Sequence, residues 1–273
     1  MISSIQNPLI KQFRKLHKSK ERHRQRCFLI EGTHLIEEAI ATDWPLDAVC
    51  CTESWHERNL HLWSVLQTNI LRCEWVTDDV MAAIATTVNP DGVMAIAHRR
   101  AIEFSARPDP CSTLQLGIAL ETIQDPGNVG TIIRSAMAGG ADGLWVSADS
   151  VDLDHPKVLR ASAGQWFRLP MMTSSALEED LKRAQDAGIQ IVATSANSPL
   201  AYWNVDLTIP TIIVAGNEGA GLSESIVALS DKQVCIPISP DVESLNVAIA
   251  VSLLIFEANR QRNVKEFSAN EVK

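Results

Sequence analysis

The chain has 273 residues, of which 46% are hydrophobic, enough to bury the core of one large domain or two ordinary ones. No apolar run approaches the roughly 18 residues of a membrane span, and the first residues lack the apolar stretch of a secretory signal, so the expected setting is the cytoplasm with no membrane partner. A net charge of −9 argues against a nucleic-acid partner for the chain as a whole, but Lys11 to Arg26 holds eight Lys/Arg against the single acid Glu21. That segment carries +7 and the remainder −16, the pattern of an acidic body with one basic arm that grips phosphates, or of a solvated surface helix.

In chain order, the pattern predicts a basic helix over Pro8 to Arg24 and a strand at Cys27 to Glu31 stopped by Gly32. It continues with a helix from His34 to Ala41, a strand at Ala48 to Cys51, a helix from Ser54 to Gln67, and strands at Cys73 to Val76 and Val93 to Ala97. This compact α/β unit ends at Arg107-Pro108-Asp109-Pro110, which reads as a linker. Beyond it, short apolar runs at Leu116 to Leu120, Leu144 to Val146, Gln190 to Thr194, Thr211 to Ala215 and Val234 to Ile236 have the composition of strands covered on both faces. Helices near Val129 to Ala138, Ala176 to Ala187, Leu222 to Ser230 and Leu245 to Gln261 separate most of them, which predicts a mostly parallel sheet with helices on both sides. The last helix is apolar nearly all round, as expected of a core or subunit-interface element, and the tail from Lys265 is expected to fray. The six cysteines, Cys27, Cys50, Cys51, Cys73, Cys111 and Cys235, show no C-x-x-C pair and no partner histidine cluster, so neither a metal site nor a disulfide framework is expected.

Three segments share one design, a polar or glycine-rich loop that follows an apolar strand and opens a helix: Asp125 to Arg134, Gly216 to Leu222, and Ile236 to Asn246. Such loops bind ligands in α/β proteins because the backbone approaches closely and helix N-termini offer free N–H donors. The glycine loop fits neither G-x-G-x-x-G nor a G-K-[ST] ending, so a dinucleotide or ATP site is not supported; its glycines permit backbone contact with a small ligand, with Glu218 nearby, or simply a tight turn. Asn128 fits a helix N-cap, and Arg134 either snorkels to solvent or holds a phosphate. The small residues Ser135, Ala136, Ala138, Gly139 and Gly140 suggest close packing of that helix. Ser244 and Asn246 either cap the last helix or hydrogen-bond a substrate hydroxyl. A serine-hydrolase reading fails because Ser244 lies in no G-x-S-x-G elbow.

Taken together, the segments resemble the three motifs of the SpoU family of RNA ribose 2′-O-methyltransferases, a branch of the SPOUT superfamily. N-x-G-x-x-x-R stands at Asn128 to Arg134, G-N-E-G-x-G-L at Gly216 to Leu222, and I-P followed by S-L-N-V between Ile236 and Val247. Lys157 to Gly164 is similar to the family's R-A-S-A-G segment, and Phe28 to Gly32 looks like part of the small domain that many members carry. The resemblance implies an α/β fold with a SPOUT-type parallel sheet and trefoil knot over 113–273, a linker over 107–112 and a small α/β RNA substrate-binding domain over 1–106. It implies a homodimer that uses S-adenosyl-L-methionine, with cofactor contacts at Gly216, Ile236 and Leu245, and catalytic or RNA-handling positions at Arg134, Asn128, Glu218, Ser244 and Asn246. It implies no metal. The substrate implied is a ribose 2′-hydroxyl of ribosomal RNA, with transfer RNA, or a non-catalytic RNA-binding protein of the same fold, as alternatives.

An arginine guanidinium stays protonated in almost any protein environment, so Arg134 is expected to hold a phosphate and stabilise developing alkoxide charge rather than act as a base. Two departures from the family pattern stand near these residues. Pro240-Asp241 replaces glycines common after I-P-M-x and stiffens the cofactor loop, and Ala220 replaces a common charged residue, trimming one contact with RNA.

Overall fold

The structure, a computed structural model, describes residues 1–99 and 114–270, with side chains through Asn263. The expected linker at 107–112 and Cys111 lie outside the described residues. The chain forms two compact units; the first takes the N-terminal residues together with Asp152–Phe167, and the second the rest. The C-terminal span expected at 113–273 is therefore interrupted, because the R-A-S-A-G segment packs with the N-terminal unit.

In the first unit the elements are α1 (Pro8–Leu16), α2 (Ser19–Gln25), β1 (Cys27–Glu31), α3 (Thr33–Ala41), β2 (Leu46–Cys51), α4 (Glu53–Arg58), α5 (Leu60–Asn69), β3 (Cys73–Trp75), α6 (Asp78–Ile84) and β4 (Val93–His98). The sheet order is β1-β4-β2-β3, with β4 antiparallel to both of its neighbours and β3 parallel to β2. Asn7 starts α1 by accepting a hydrogen bond from the Leu9 N–H, with Pro8 at the first helical position. Leu9, Ile10, Phe13 and Leu16 then face inward against Val80, Met81 and Ile84. Where one basic helix was expected there are two, because Lys18 adopts extended backbone between them.

The break turns Arg22 into the protein. Its side chain is 2% exposed; Nη2 donates to Asp152 at 2.6 Å and Nε to Asp154 at 3.0 Å, and Arg99 also binds Asp154. Arg22 is thus removed from the basic arm and fastens α2 to the segment that precedes α8 (Pro156–Ala161). Burial pushes the Asp152 carboxyl up, but hydrogen bonds from Ser19 and His23 and the charge of Arg22 outweigh it and hold the group below the usual carboxylate range. A folded-state pKa depressed in this way contributes stability that is complete above the unfolded value of about 3.9 and is lost as pH falls through the folded value. Asp152→Asn is therefore expected to lower Tm near pH 7, with the gap from wild type closing as pH drops below about 4. Melting curves across that range check it, and a gap independent of pH would contradict it.

On the other side of β1, Phe28 and Trp44 pack against Trp166, with ring centroids 5.0 and 5.1 Å away. Arg160 donates through Nη1 to Glu31 at 3.3 Å, and the Glu31 carboxylate also accepts the Thr86 N–H at 2.9 Å. Gly164 has φ +81°, and a Cβ there would fall 2.4 Å from the side chain of Glu38. These contacts account for the grouping of 152–167 with the N-terminal unit.

The second unit contains β5 (Leu116–Leu120), α7 (Pro126–Ala138), β6 (Gly143–Ser147), β7 (Met171–Ser174), α9 (Leu177–Asp186), β8 (Gln190–Thr194), β9 (Thr211–Ala215), α10 (Glu224–Leu229), β10 (Lys232–Val234) and α11 (Val247–Asn270). Six strands in the order β10-β8-β9-β5-β6-β7 pair in parallel throughout. Strands β5, β6 and β9 are buried along their whole length, as their unbroken apolar runs require. The short strand β7 was not expected. The last helix runs on to Asn270, past the point where fraying was expected.

Among the described residues no helix is long and apolar enough to cross a membrane, and no group of three or more His, Cys, Asp or Glu could hold a metal ion. Burial pushes the Cys50 and Cys51 thiols up to about 12 and Cys73 up to about 11, which leaves them protonated and unreactive.

Candidate functional site

The chain runs outward from β5 through β6 to β7, then returns to place β9 on the other side of β5. In open parallel sheets ligands bind beyond the carboxyl ends of the strands at such a reversal. The three segments singled out in the sequence lie there, following β5, β9 and β10.

Side-chain hydrogen bonds tie the loops together. Asn217 Nδ2 donates to the Thr122 carbonyl at 2.9 Å, and the Ser223 N–H donates to Glu121 Oε2 at 2.8 Å, joining the β9 loop to the end of β5. Asn217 Oδ1 also accepts the N–H groups of Gly219 and Ala220, at 2.9 and 3.0 Å, which closes the glycine loop on itself. The cap of α7 is Asp125, which accepts the Gly127 N–H at 2.8 Å, so Asn128 is not the N-cap that its position suggested. Asn128 is left to act across the loops: its Nδ2 donates to Glu218 Oε1 at 2.7 Å, and its Oδ1 accepts from Asn246 Nδ2 at 2.9 Å. Asn246 in turn caps α11, its Oδ1 accepting the N–H groups of Ala248 and Ile249. One residue from each segment therefore belongs to a single chain of hydrogen bonds.

Beside this chain lies a cavity of about 390 Å³, a size that suits a small-molecule ligand. Gly216, Ile236 and Leu245 line it, together with Glu218 and Ser244. Thr194, the last residue of β8, and Ser195 to Asn197 after it form a further part of the wall. Sequence reasoning passed over that stretch, although a polar run after an apolar strand was the same signal used for the other loops. Among the described lining residues there are two carboxylates, Glu218 and Glu243, and no lysine, arginine or histidine. A cavity without cations is poorly suited to a phosphate and well suited to a positively charged ligand. At Gly216 the loop closes tightly on itself, since a Cβ there would lie 2.3 Å from the Gly221 carbonyl oxygen. The glycine loop and the acidic lining fit S-adenosyl-L-methionine, whose sulfonium and ammonium groups outweigh its single carboxylate and which carries no phosphate.

Arg134 is not among the residues lining the cavity. It lies six residues beyond Asn128 on α7, about 240° around the helix at 3.6 residues per turn, exposed and without a hydrogen bond or ion pair to any described residue. The other face of α7 packs closely on α11, as its small residues predicted: Ser252 Oγ donates to Ser135 Oγ at 2.7 Å, and a Cβ on Gly139 would meet Ile255 at 2.1 Å. Val247, Val251, Leu254, Ile255 and Ala258 of α11 are buried, whereas Ile249, Leu253 and Phe256, spaced as one stripe, are 50%, 37% and 49% exposed.

The sequence profile described as the SpoU rRNA methylase family matches residues 115–256, and that of an MRM3-like substrate binding domain matches residues 7–95. The chain is 44% identical to an uncharacterized tRNA/rRNA methyltransferase of Synechocystis sp. over 96% of its length and 94% of the relative's. It is 28% identical to the 23S rRNA (guanosine(2553)-2'-O)-methyltransferase of Bacillus subtilis, covering 93% of this chain and 97% of that protein. Among solved structures it resembles the SpoU methyltransferase AviRb from Streptomyces viridochromogenes in complex with AdoMet, with a TM-score of 0.80, 30% identity and coverage of 94% and 98% of the two chains.

Proposed function

We infer that the chain, which belongs to the SpoU rRNA methylase family, transfers a methyl group from S-adenosyl-L-methionine to a ribose 2′-hydroxyl of RNA, with ribosomal RNA as the substrate. The observation that carries this reading is the cation-free, glycine-walled cavity that borders a hydrogen-bonded Asn128, Glu218 and Asn246. The named activity of the Bacillus subtilis relative and the AdoMet-bound AviRb structure support it. When bound, the cofactor supplies an electrophilic methyl group on a sulfonium. The protein's part is to align that methyl with the hydroxyl and exclude water, a task suited to fixed backbone loops. On this reading Gly216, Ile236 and Leu245 hold the cofactor, Ser244 orients the hydroxyl, and the last helix threads a loop to make a trefoil knot.

Arg134 would complete the site from a second copy. The exposed apolar stripe of α11 supports a homodimer, as does the absence of Arg134 from its own chain's cavity. The first unit is read as the RNA-binding domain and the second as the catalytic one, working in the cytoplasm. Lys11, Arg14, Lys15 and Lys18 are exposed on and beyond α1, and they are the residues assigned to phosphates. Replacing all four by Gln is expected to flatten the dependence of log K on log salt by up to about 3, near 0.7 for each single-strand phosphate that is no longer neutralised. An unchanged slope would return the arm to a solvated surface.

The function itself is tested by mass mapping of ribose methylation in ribosomal and transfer RNA from cells with and without the protein. One ribosomal 2′-O-methyl group should vanish with the gene; loss from transfer RNA instead would select the alternative substrate, and no loss from either would overturn the reading.

A further inference from the structure

The methyl transfer leaves a proton to be placed, and the direction of the hydrogen bonds at the loops says where it can go. The N–H groups of Ala248 and Ile249 can only donate, so Asn246 must turn Oδ1 toward them, at 3.0 and 3.3 Å. Its Nδ2 therefore faces Asn128 and needs an acceptor there, which fixes Asn128 Oδ1 at 2.9 Å. Asn128 is left with Nδ2 outward, and that group meets Glu218 Oε1 at 2.7 Å. Every donor in the relay points one way, from the first turn of α11 toward Glu218. Neither amide has a basic site to offer, and a guanidinium holds its own proton. Glu218 Oε2 makes no hydrogen bond to any described residue, and the side chain lines the cavity.

The geometry points to Glu218 as the general base of the reaction, its Oε2 taking the 2′-hydroxyl proton while Oε1 is held by Asn128. The inference rests on the reading of this site as a ribose methyltransferase. In the step, the 2′-oxygen bonds the methyl carbon as the carbon–sulfur bond breaks with its electron pair left on sulfur. The oxygen–hydrogen bond breaks with its pair left on oxygen, and the proton passes to Glu218 and then to solvent. Charges balance: a sulfonium and a carboxylate become a thioether and a carboxylic acid. No strong base is required, because an oxygen that is being alkylated becomes steadily more acidic as its bond to carbon forms, so a late transfer to a carboxylate runs downhill.

The test uses purified full-length protein, labelled S-adenosyl-L-methionine and ribosomal RNA from cells that lack the gene. Glu218→Gln keeps an acceptor for Asn128 and removes the base. It is expected to lower kcat by about 10² to 10⁴-fold, with the RNA KM and Tm unchanged and the calorimetric affinity for S-adenosylhomocysteine lowered no more than by Glu243→Gln, which removes the other carboxylate of the lining. Formate should restore part of kcat to Glu218→Ala, and the restored rate should rise with the basicity of the added carboxylate. A Glu218→Gln enzyme within threefold of wild-type kcat would overturn the assignment, as would a greater loss of S-adenosylhomocysteine affinity than Glu243→Gln shows, or loss of kcat in Glu243→Gln instead. If the wild-type protein labels neither ribosomal nor transfer RNA, the methyltransferase reading fails and takes this proposal with it. That result is distinct from an active wild type with an active Gln variant.

Discussion

Arg134→Ala is expected to lower kcat by at least about 10² to 10³-fold, the usual cost of removing one preorganised donor from developing oxyanion charge. Affinity for S-adenosylhomocysteine should not change, since Arg134 is absent from the cavity lining. The same geometry makes the dimer testable through catalysis. If Arg134 of one copy serves the cavity of the other, Arg134→Ala and Glu218→Ala proteins, each inactive alone, regain activity when unfolded and refolded together. Half of randomly assembled dimers are mixed and each has one intact site, so recovery should approach about a quarter of wild type in a symmetric dimer. Were Arg134 to act within its own chain, both sites of a mixed dimer would be defective and nothing would return. Turnover at the wild-type rate in Arg134→Ala would remove the assignment outright.

The local features of this protein were legible and the long-range ones were not. Glycine spacing, the strand runs and the small residues of α7 are properties of neighbouring residues, and the loops after β5, β9 and β10 stand where they were expected. The identity of the α7 cap turned on three residues, and Asp125 took the place that Asn128 was expected to fill because its carboxylate reaches the Gly127 N–H. Arg22 looked like any other cation of the arm. Its partners Asp152 and Asp154 lie some 130 residues away, and no periodicity reveals such a pairing. The R-A-S-A-G segment was equally opaque: its place in the N-terminal unit depends on Arg160 meeting Glu31 and Gly164 admitting Glu38. Strand direction was legible only in the second half, where alternating strands and helices pointed to the parallel sheet that is found, and not in the N-terminal unit, where β4 runs antiparallel to both neighbours.

Gly216→Ala is expected to be the most damaging small substitution in the site. An added Cβ would stand 2.3 Å from the Gly221 oxygen, 2.4 Å from its carbonyl carbon and 2.5 Å from the Leu222 nitrogen. All three are backbone atoms, so no side-chain rotation relieves the clash. The loop can yield only by parting Gly216 from Gly221, which also breaks the Gly221 N–H bond to the Asn217 carbonyl at 2.9 Å. Overpacking of this kind costs about 1 to 3 kcal/mol, which for a unit of this size lowers Tm by roughly 2 to 10 °C. Binding should suffer more than folding, because the displaced strand end and glycine loop are two walls of the cavity; a loss of S-adenosylhomocysteine affinity of about 100-fold corresponds to some 2.7 kcal/mol. Gly219→Ala is the control. The nearest atom to its added Cβ is Asn217 Oδ1 at 3.6 Å, an ordinary contact, so stability and binding should both be kept. Wild-type affinity in Gly216→Ala would mean that the cofactor is held elsewhere than against this loop.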